Sequence, residues 1–310
     1  MARGPEASPV RVAILKFQKL PSFVTWEIPN LDELLADDRL LIAEFAERGV
    51  EAESVAWSDP GVDWSRFDLA LIRSTWDYID ERERFLSVLA EIEKSSCRLF
   101  NPLTAVRWNS DKSYLFDLRD WQVPIVPTHR ASATDPTLLQ EALLRQGCRR
   151  AVLKPRIGGG AADVHLVPGD EVAATLGRLA HQRPRQEFLV QPLVESVVTE
   201  GEWSFIYVDR ELCHVLLKKP APGDYRAHGI YGCTIESAEP RPDDLLQAEA
   251  MLARLPFDLL YARLDLVRTD GHLAVMELEL VEPILYFNLA PRGVGRLVSA
   301  ALARLERPRP

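Results

Sequence analysis

The stretch LYARLDLVRTDGHLAVMELELVEPILYFN, residues 260–288, reads as two strands joined by a tight turn. Residues 261–268 alternate around Ala262, Leu264 and Leu266, Asp270-Gly271 supplies the turn, and residues 273–280 run back. Asp265 lies on the outgoing strand, with Glu277 and Glu279 on the return. Side chains two apart on a strand share a face, so Glu277 and Glu279 project together. If the ladder aligns, Asp265 joins them beside an apolar core. Oxygen-only carboxylate sets of this kind suit Mg²⁺, which takes substrate phosphates as further ligands. A solvated strand face with alternating acids would look the same locally, so the rest of the chain has to decide.

With 310 residues the chain can bury a sizeable core and holds two or three structural units. A net charge of −9 argues against a nucleic-acid binder, which needs an extended basic face. It leaves ATP open, because a local lysine pair can hold phosphates on an acidic protein. No run approaches the ~18 apolar residues of a membrane span. MARGPEASPV at the N-terminus has no apolar signal core, so a cytoplasmic protein without membrane partners is expected. Cys97, Cys148, Cys213 and Cys233 form no CxxC pair and no zinc-like spacing, and read as reduced structural thiols.

The first hundred residues alternate strand and helix signals: strands at 10–15, 50–57, 67–72 and 98–101, helices at 31–48 and 81–94. Leu34, Leu41 and Phe45 share one face of the first helix, and Phe85, Leu86, Leu89 and Ile92 one face of the second. This is the pattern of a small parallel-sheet α/β domain. It lacks GxGxxG, so a common dinucleotide fold is not supported. RSTWDY (73–78) follows the third strand, where parallel sheets place ligand groups. Arg73 and Ser74 could hold a substrate carboxylate and Trp76 could wall the site. Trp76 and Tyr78 suit packing against a following domain equally well.

Beyond Asn101-Pro102, residues 103–120 read as a helix containing Lys112, a position that by itself describes a solvated charge. VPIVPTHR (123–130) reads as a proline-interrupted strand, and Asp135-Pro136 caps a helix over 136–146. In RRAVLKPRIGGGAADVHLV (149–167) a strand ends at Lys154-Pro155, and Gly158, Gly159 and Gly160 leave backbone N–H groups free to approach phosphate oxygens. Lys154, emerging from a strand, can meet a phosphate as a point charge. A plain flexible hairpin would also carry GGG, and no Walker A loop is present. After a helix at 170–181, the strand in EFLVQPLVES (187–196) turns irregular at Pro192, exposing backbone groups that could read an adenine edge. A hairpin over 200–220 turns at Asp209-Arg210. The polar run 218–232 that follows is typical of an active-site loop. Its Arg226 has the planar fork that suits a carboxylate or phosphoryl group, whereas His228, a lone histidine, reads first as structural. Helices at 241–254 and 293–306 complete the chain, and no internal repeat is present.

Lys112 in a linker, Lys154 before glycines, the QPxx hinge, EGExS, the arginine loop and D…ExE occur in an order that resembles the ATP-grasp superfamily. The likeness covers residues 100 to 290 and is nearest to the glutathione-synthetase-like carboxylate–amine ligases. RSTWDY and RWNSDK are similar to the branch holding the cycloserine-forming cyclo-ligase and related amino-acid ligases. The resemblance implies an α/β ATP-grasp fold: an N-terminal parallel-sheet domain (1–103), a lid subdomain with the glycine flap (104–186), and a C-terminal α+β subdomain with an antiparallel sheet and the Mg²⁺ site (187–310). It implies that Lys112 and Lys154 contact ATP phosphates and that Gly158, Gly159 and Gly160 cover them. Gln191, Pro192, Leu193 and Val194 would line adenine, with Glu202 near the ribose. Arg226 would stabilise an acyl phosphate, and Asp265, Glu277 and Glu279 would hold two Mg²⁺ ions, for which Mn²⁺ could substitute. Glutathione-synthetase-like members place Asn where Glu279 stands, which weakens any identity with glutathione synthesis.

The implied activity is an ADP-forming ligase that joins an amino acid or derivative to an amine through an acyl phosphate. Arg73, Ser74, Trp76, Arg226 and His228 would face the substrate, and Arg226 and Lys154 would act in catalysis. No Ser/His/Asp or Cys/His arrangement competes with this chemistry. An intramolecular ring closure, an ATP-binding sensor without ligation and a kinase-like phosphotransferase remain as alternatives. Small amino-acid-like molecules are the expected partners, and a homodimer or homotetramer is usual among such ligases.

Overall fold

The computed structural model describes residues 9–20, 35–133 and 135–308. The predicted helix start at 31–34, with Leu34, lies outside these residues. Strand β1 (Arg11–Lys16), helix α1 (Ala36–Glu47), β2 (Glu51–Ala56), β3 (Leu69–Ser74), α2 (Arg82–Lys94) and β4 (Arg98–Phe100) build a sheet of order β2-β1-β3-β4. Every pair in it is parallel. Alternation along β1 and β3 loads both faces, as helix-covered parallel strands require. Val12, Ile14, Leu69 and Leu71 pack with Leu41 and Phe45 of α1. Ala13, Leu15, Ala70 and Ile72 pack with Phe85 and Leu89 of α2.

The predicted helix over 103–120 is two helices, α3 (Leu103–Asn109) and α4 (Tyr114–Asp120). The polar run Ser110-Asp111-Lys112-Ser113 breaks it. The Asp111 carboxylate accepts the Ser113 N–H at 2.9 Å, and the Lys112 N–H donates to the Arg156 carbonyl at 2.8 Å. Local side-chain acceptors compete with helix hydrogen bonds in this way, so Lys112 stands in a turn.

The second sheet, order β5-β8-β6-β7, comprises β5 (His129–Arg130), β6 (Arg150–Pro155), β7 (His165–Pro168) and β8 (Phe188–Pro192), with α5 (Pro136–Arg145) and α6 (Val172–Gln182) against it. Asp135 caps α5 by accepting from Thr137 and Leu138 N–H. Pro124 and Pro127 carry no N–H, and of residues 123–130 only two form a strand. Because β8 pairs with β6 along five residues, this sheet runs to Pro192. A boundary at 186/187 would cut through it.

The third sheet is antiparallel, order β11-β10-β9-β12-β13, and follows the short α7 (Ser196–Thr199). It contains β9 (Glu202–Val208), β10 (Glu211–Lys219), β11 (Thr234–Ser237), β12 (Tyr261–Thr269) and β13 (His272–Glu279), with α8 (Pro242–Ala253) on one side. The C-terminal α9 (Arg292–Leu305) packs Leu297 and Val298 into the core shared with α1, β1 and β3. Asn101 ties the first sheet to the third: its Nδ2 donates to the Tyr261 and Leu280 carbonyls, and its Oδ1 accepts the Leu260 N–H. No helix among the described residues is long and apolar enough to cross a membrane.

Candidate active site

β12 and β13 pair so that Asp265 faces Glu277 and Arg263 faces Glu279. Arg263 and Asp265, two apart on β12, share the face that carries both glutamates. The Arg263 guanidinium donates to both Asp265 oxygens at 3.1 Å and to Glu279. Ser204 on β9 donates its hydroxyl to Asp265, and Lys218 on β10 lies 3.2 Å from it and 2.7 Å from Glu202. Burial opposes the Asp265 charge, yet Arg263 and Lys218 outweigh it and hold the carboxyl well below its usual range. Glu279 goes the other way: burial, with Glu277 and Asp265 adding, pushes it up to about 7 despite Arg263.

Lys112 stands 2.9 Å from Glu277 and donates to the Gly158 carbonyl at 2.7 Å. Burial works against its charge, but Glu277 raises its pKa. Lys154, near the end of β6, is buried, its one contact among the described residues a long one of 3.4 Å to the Met276 carbonyl, and burial lowers its pKa to about 8. A desolvated ammonium without a tight partner is costly, and a phosphate would relieve that cost.

One cleft collects Lys112, Lys154, Gly158, Gly159, Gly160, Gln191, Pro192, Leu193, Val194, Glu202, Arg226, His228, Asp265, Glu277 and Glu279. Val152, Val197 and Met276 make its apolar wall. Gln191 turns its amide onto Thr128 at 2.8 Å, and the Leu193 N–H donates to the Arg150 carbonyl. The glycine loop lies over the cleft, with Gly159 against Ile79 of the first domain. Tyr231 and Tyr225 donate to the Ala161 and Val164 carbonyls at 3.4 and 3.3 Å, linking that loop to the 218–232 segment.

Arg226 is already engaged: Asp224 binds it at 2.7 Å and the Tyr231 ring lies 3.5 Å beneath it. His228 accepts the Ile230 N–H at Nδ1, and burial, with Lys218 and Arg263 nearby, pushes it down to about 4. It is therefore neutral at pH 7.

A second cavity of about 100 Å³ adjoins the cleft, between Trp76, Tyr78 and Ile79 on one side and Arg263, Glu279, Glu282 and Tyr286 on the other. Trp76 lines this cavity. Arg73 and Ser74 do not. Arg73 is 2% exposed, donates to the Pro283 carbonyl at 2.7 Å and sits 3.7 Å from Asp37, while Ser74 binds Asp38. Both point into the domain contact, because they are the last residues of β3 itself rather than of the loop beyond it.

Sequence reasoning missed Arg263, Lys218, Glu282 and Tyr286. Arg263 carried a signal, since it shares the face of Asp265 by the same two-residue rule that grouped the glutamates. Among the described residues no three His, Cys, Asp or Glu side chains stand close enough to hold a metal ion. Carboxylate oxygens do fit Mg²⁺. Glu277 and Glu279 each have one basic side chain as partner, whereas Asp265 is bound by three donors.

Residues 12–101 match the family described as D-cycloserine synthetase DcsG, N-terminal domain. The cycloserine biosynthesis protein DcsG of Streptomyces lavendulae is 31% identical over 276 residues, covering 83% of this chain and 90% of that protein. The crystal structure of D-cycloserine synthetase DcsG superposes with a TM-score of 0.78 at 28% identity, covering 96% of this chain and all of that one. D-alanine–D-alanine ligase from Bacillus anthracis matches with a TM-score of 0.68 at 15% identity, covering 96% and 97%, a likeness of fold alone. That ligase has also been solved complexed with ATP.

Proposed function

The chain belongs to the family of DcsG among the ATP-grasp carboxylate–amine ligases, and from that premise we propose that it activates a carboxylate with Mg-ATP as an acyl phosphate and passes the acyl group to an amine. The observation that carries this reading is the meeting of Lys112, Lys154, Lys218 and Arg263 with Asp265, Glu277 and Glu279 under a glycine loop. Phosphoryl transfer needs cations that offset charge on the transferring group, and water has to be kept away.

Adenine would lie along Gln191–Val194 against Val152 and Met276, with Glu202 toward the ribose. Gly158, Gly159 and Gly160 would cover the phosphates, and Lys112 and Lys154 would bind them. Glu277 and Glu279, with Asp265 behind them, would hold Mg²⁺, which would neutralise phosphate charge and orient the γ-phosphoryl group. Arg263 takes the role that sequence alone gave to Arg226: it is placed between the carboxylates and the second cavity, where an acyl phosphate would form. Substrate carboxylate oxygen attacks the γ-phosphorus, ADP leaves, and the amine then displaces phosphate to form the C–N bond.

A second reading joins acid and amine within one molecule. It is favoured by the likeness to a protein named for cycloserine biosynthesis and by the small volume beside Trp76. Either way, Glu277→Gln is expected to lower ADP release at least 100-fold with an unchanged circular dichroism spectrum. Near-normal release would remove the metal-dependent reading.

A further inference from the structure

The second cavity holds a carboxyl that the proposed function leaves unused. Lys112 is taken by Glu277 and the Gly158 carbonyl, and Arg263 by Asp265 and Glu279. The carboxyl of Glu282 has neither a hydrogen-bond nor an ion-pair partner among the described residues, though it lines the same cavity. It sits on the segment that follows β13, three residues beyond Glu279 and opposite the turn that follows β3. Burial, with Glu279 and Glu277 adding, pushes the Glu282 carboxyl up to about 8 against Lys112 and Arg263, and a ligand ammonium beside it would favour the charged form.

The rest of the lining describes that ligand. Trp76, Tyr78 and Tyr286 present aromatic groups, whose π-faces attract cations. Ile79 and Ile284 add apolar surface, and His228, neutral at pH 7, adds no competing charge. At about 100 Å³ the cavity suits a compact molecule. Its open side meets Arg263 and Glu279, where the proposed acyl phosphate forms.

We propose that Glu282 receives the amino group of the amine-bearing substrate, and that this cavity selects small primary ammonium compounds. The assignment rests on the ligase reading for which step the amine serves, but the recognition itself is independent of turnover. Glu282 fixes the nitrogen, the aromatic walls exclude bulky or acylated amines, and Arg263 faces the acyl end.

The test is calorimetric titration of the full chain with D-serine, L-serine and cycloserine, each beside its N-acetyl form, together with Mg-ATP and Mn²⁺ titrations. The wild type is expected to bind at least one free amine tenfold or more tightly than its N-acetyl form. Glu282→Gln should lose at least tenfold for that amine and keep Mg-ATP and Mn²⁺ affinities within twofold. Equal binding of the amine by Glu282→Gln would overturn the proposal. So would a wild type with no preference for free amines, or a variant whose loss is confined to Mn²⁺, which would make Glu282 a metal ligand. Amine binding that depends on Glu282 in a protein that forms no ADP would keep this site and remove the ligase reading.

Discussion

Lys154, next to last in β6, has 7% of its surface exposed and its ammonium 3.4 Å from the Met276 carbonyl. Burial lowers its pKa from 10.5 to about 8. Between these values the unfolded chain binds more protons than the native one, so this lysine makes stability rise with pH across about 8 to 10.5. Below pH 8 the folded protein carries the full cost of the buried charge. Phosphates beside Lys154 would raise its pKa again. ATP binding at pH 8.5 is therefore expected to take up protons, read by calorimetry in buffers of different ionisation enthalpy, and Lys154→Ala should abolish that part of the uptake. Arg73 is a different case, since its guanidinium joins Asp37 and the Pro283 carbonyl away from either cavity. Arg73→Ala should lower stability by about 3 kcal/mol, measured by denaturant unfolding, with substrate KM little changed; a KM effect without a stability loss would return Arg73 to the substrate site. The residues that were legible in sequence sit at a two-residue period in strands or beside glycines. Arg263 and Lys218 were not, because a basic residue in a strand reads as solvent-facing until the sheet order β10-β9-β12 brings it under a carboxylate.

At the scale of elements, the hairpin was legible because its turn chemistry is local: Asp270 and Gly271 take φ of +49° and +85°, as Asp-Gly turns require. The helix break at Ser110–Ser113 was only partly so: the Asp111 acceptor for the Ser113 N–H is local, whereas the Arg156 carbonyl that takes the Lys112 N–H lies in the loop after β6. β11 lies just past a polar run without an apolar period, and only its pairing with β10 defines it. Gly201, immediately before β9, has φ of +119°, and a Cβ there would lie 2.9 Å from the Lys218 carbonyl oxygen. Gly201→Ala must strain the backbone and displace the strand that carries Lys218. Gly271→Ala meets nothing within 4 Å and lies at the far end of the hairpin from the carboxylates. Both should cost about 1–3 kcal/mol of stability, measured by thermal unfolding, whereas only Gly201→Ala should lower ADP release more than tenfold. Equal activity in the two variants would dissociate the geometry of Lys218 from the site.

For the whole molecule, the second and third sheets line the cleft, and the first domain reaches the cavity beside it through Trp76, Tyr78 and Ile79. Asn101 and Tyr261, whose hydroxyl donates to the Ile72 and Val281 carbonyls, join the first sheet to the third through buried polar bonds. The central sheet reaches the cleft through Lys154 and the glycine loop, held by Lys112, Tyr225 and Tyr231. This division puts a joined body on one side of the proposed nucleotide and a covering sheet on the other. The order of motifs along the chain made the architecture legible, while the acceptor pocket was not, because Trp76, Arg263 and Glu282 come from distant segments. Mass spectrometry of the products distinguishes ADP-forming C–N ligation from other ATP-dependent chemistry. The full chain is incubated with Mg-ATP and a pool of amino acids and their side-chain-substituted derivatives. ADP, phosphate and a new mass equal to two pool members less water are expected, or one member less water for ring closure. AMP as the nucleotide product, or a stable phosphorylated pool member with no amide, would contradict such ligation.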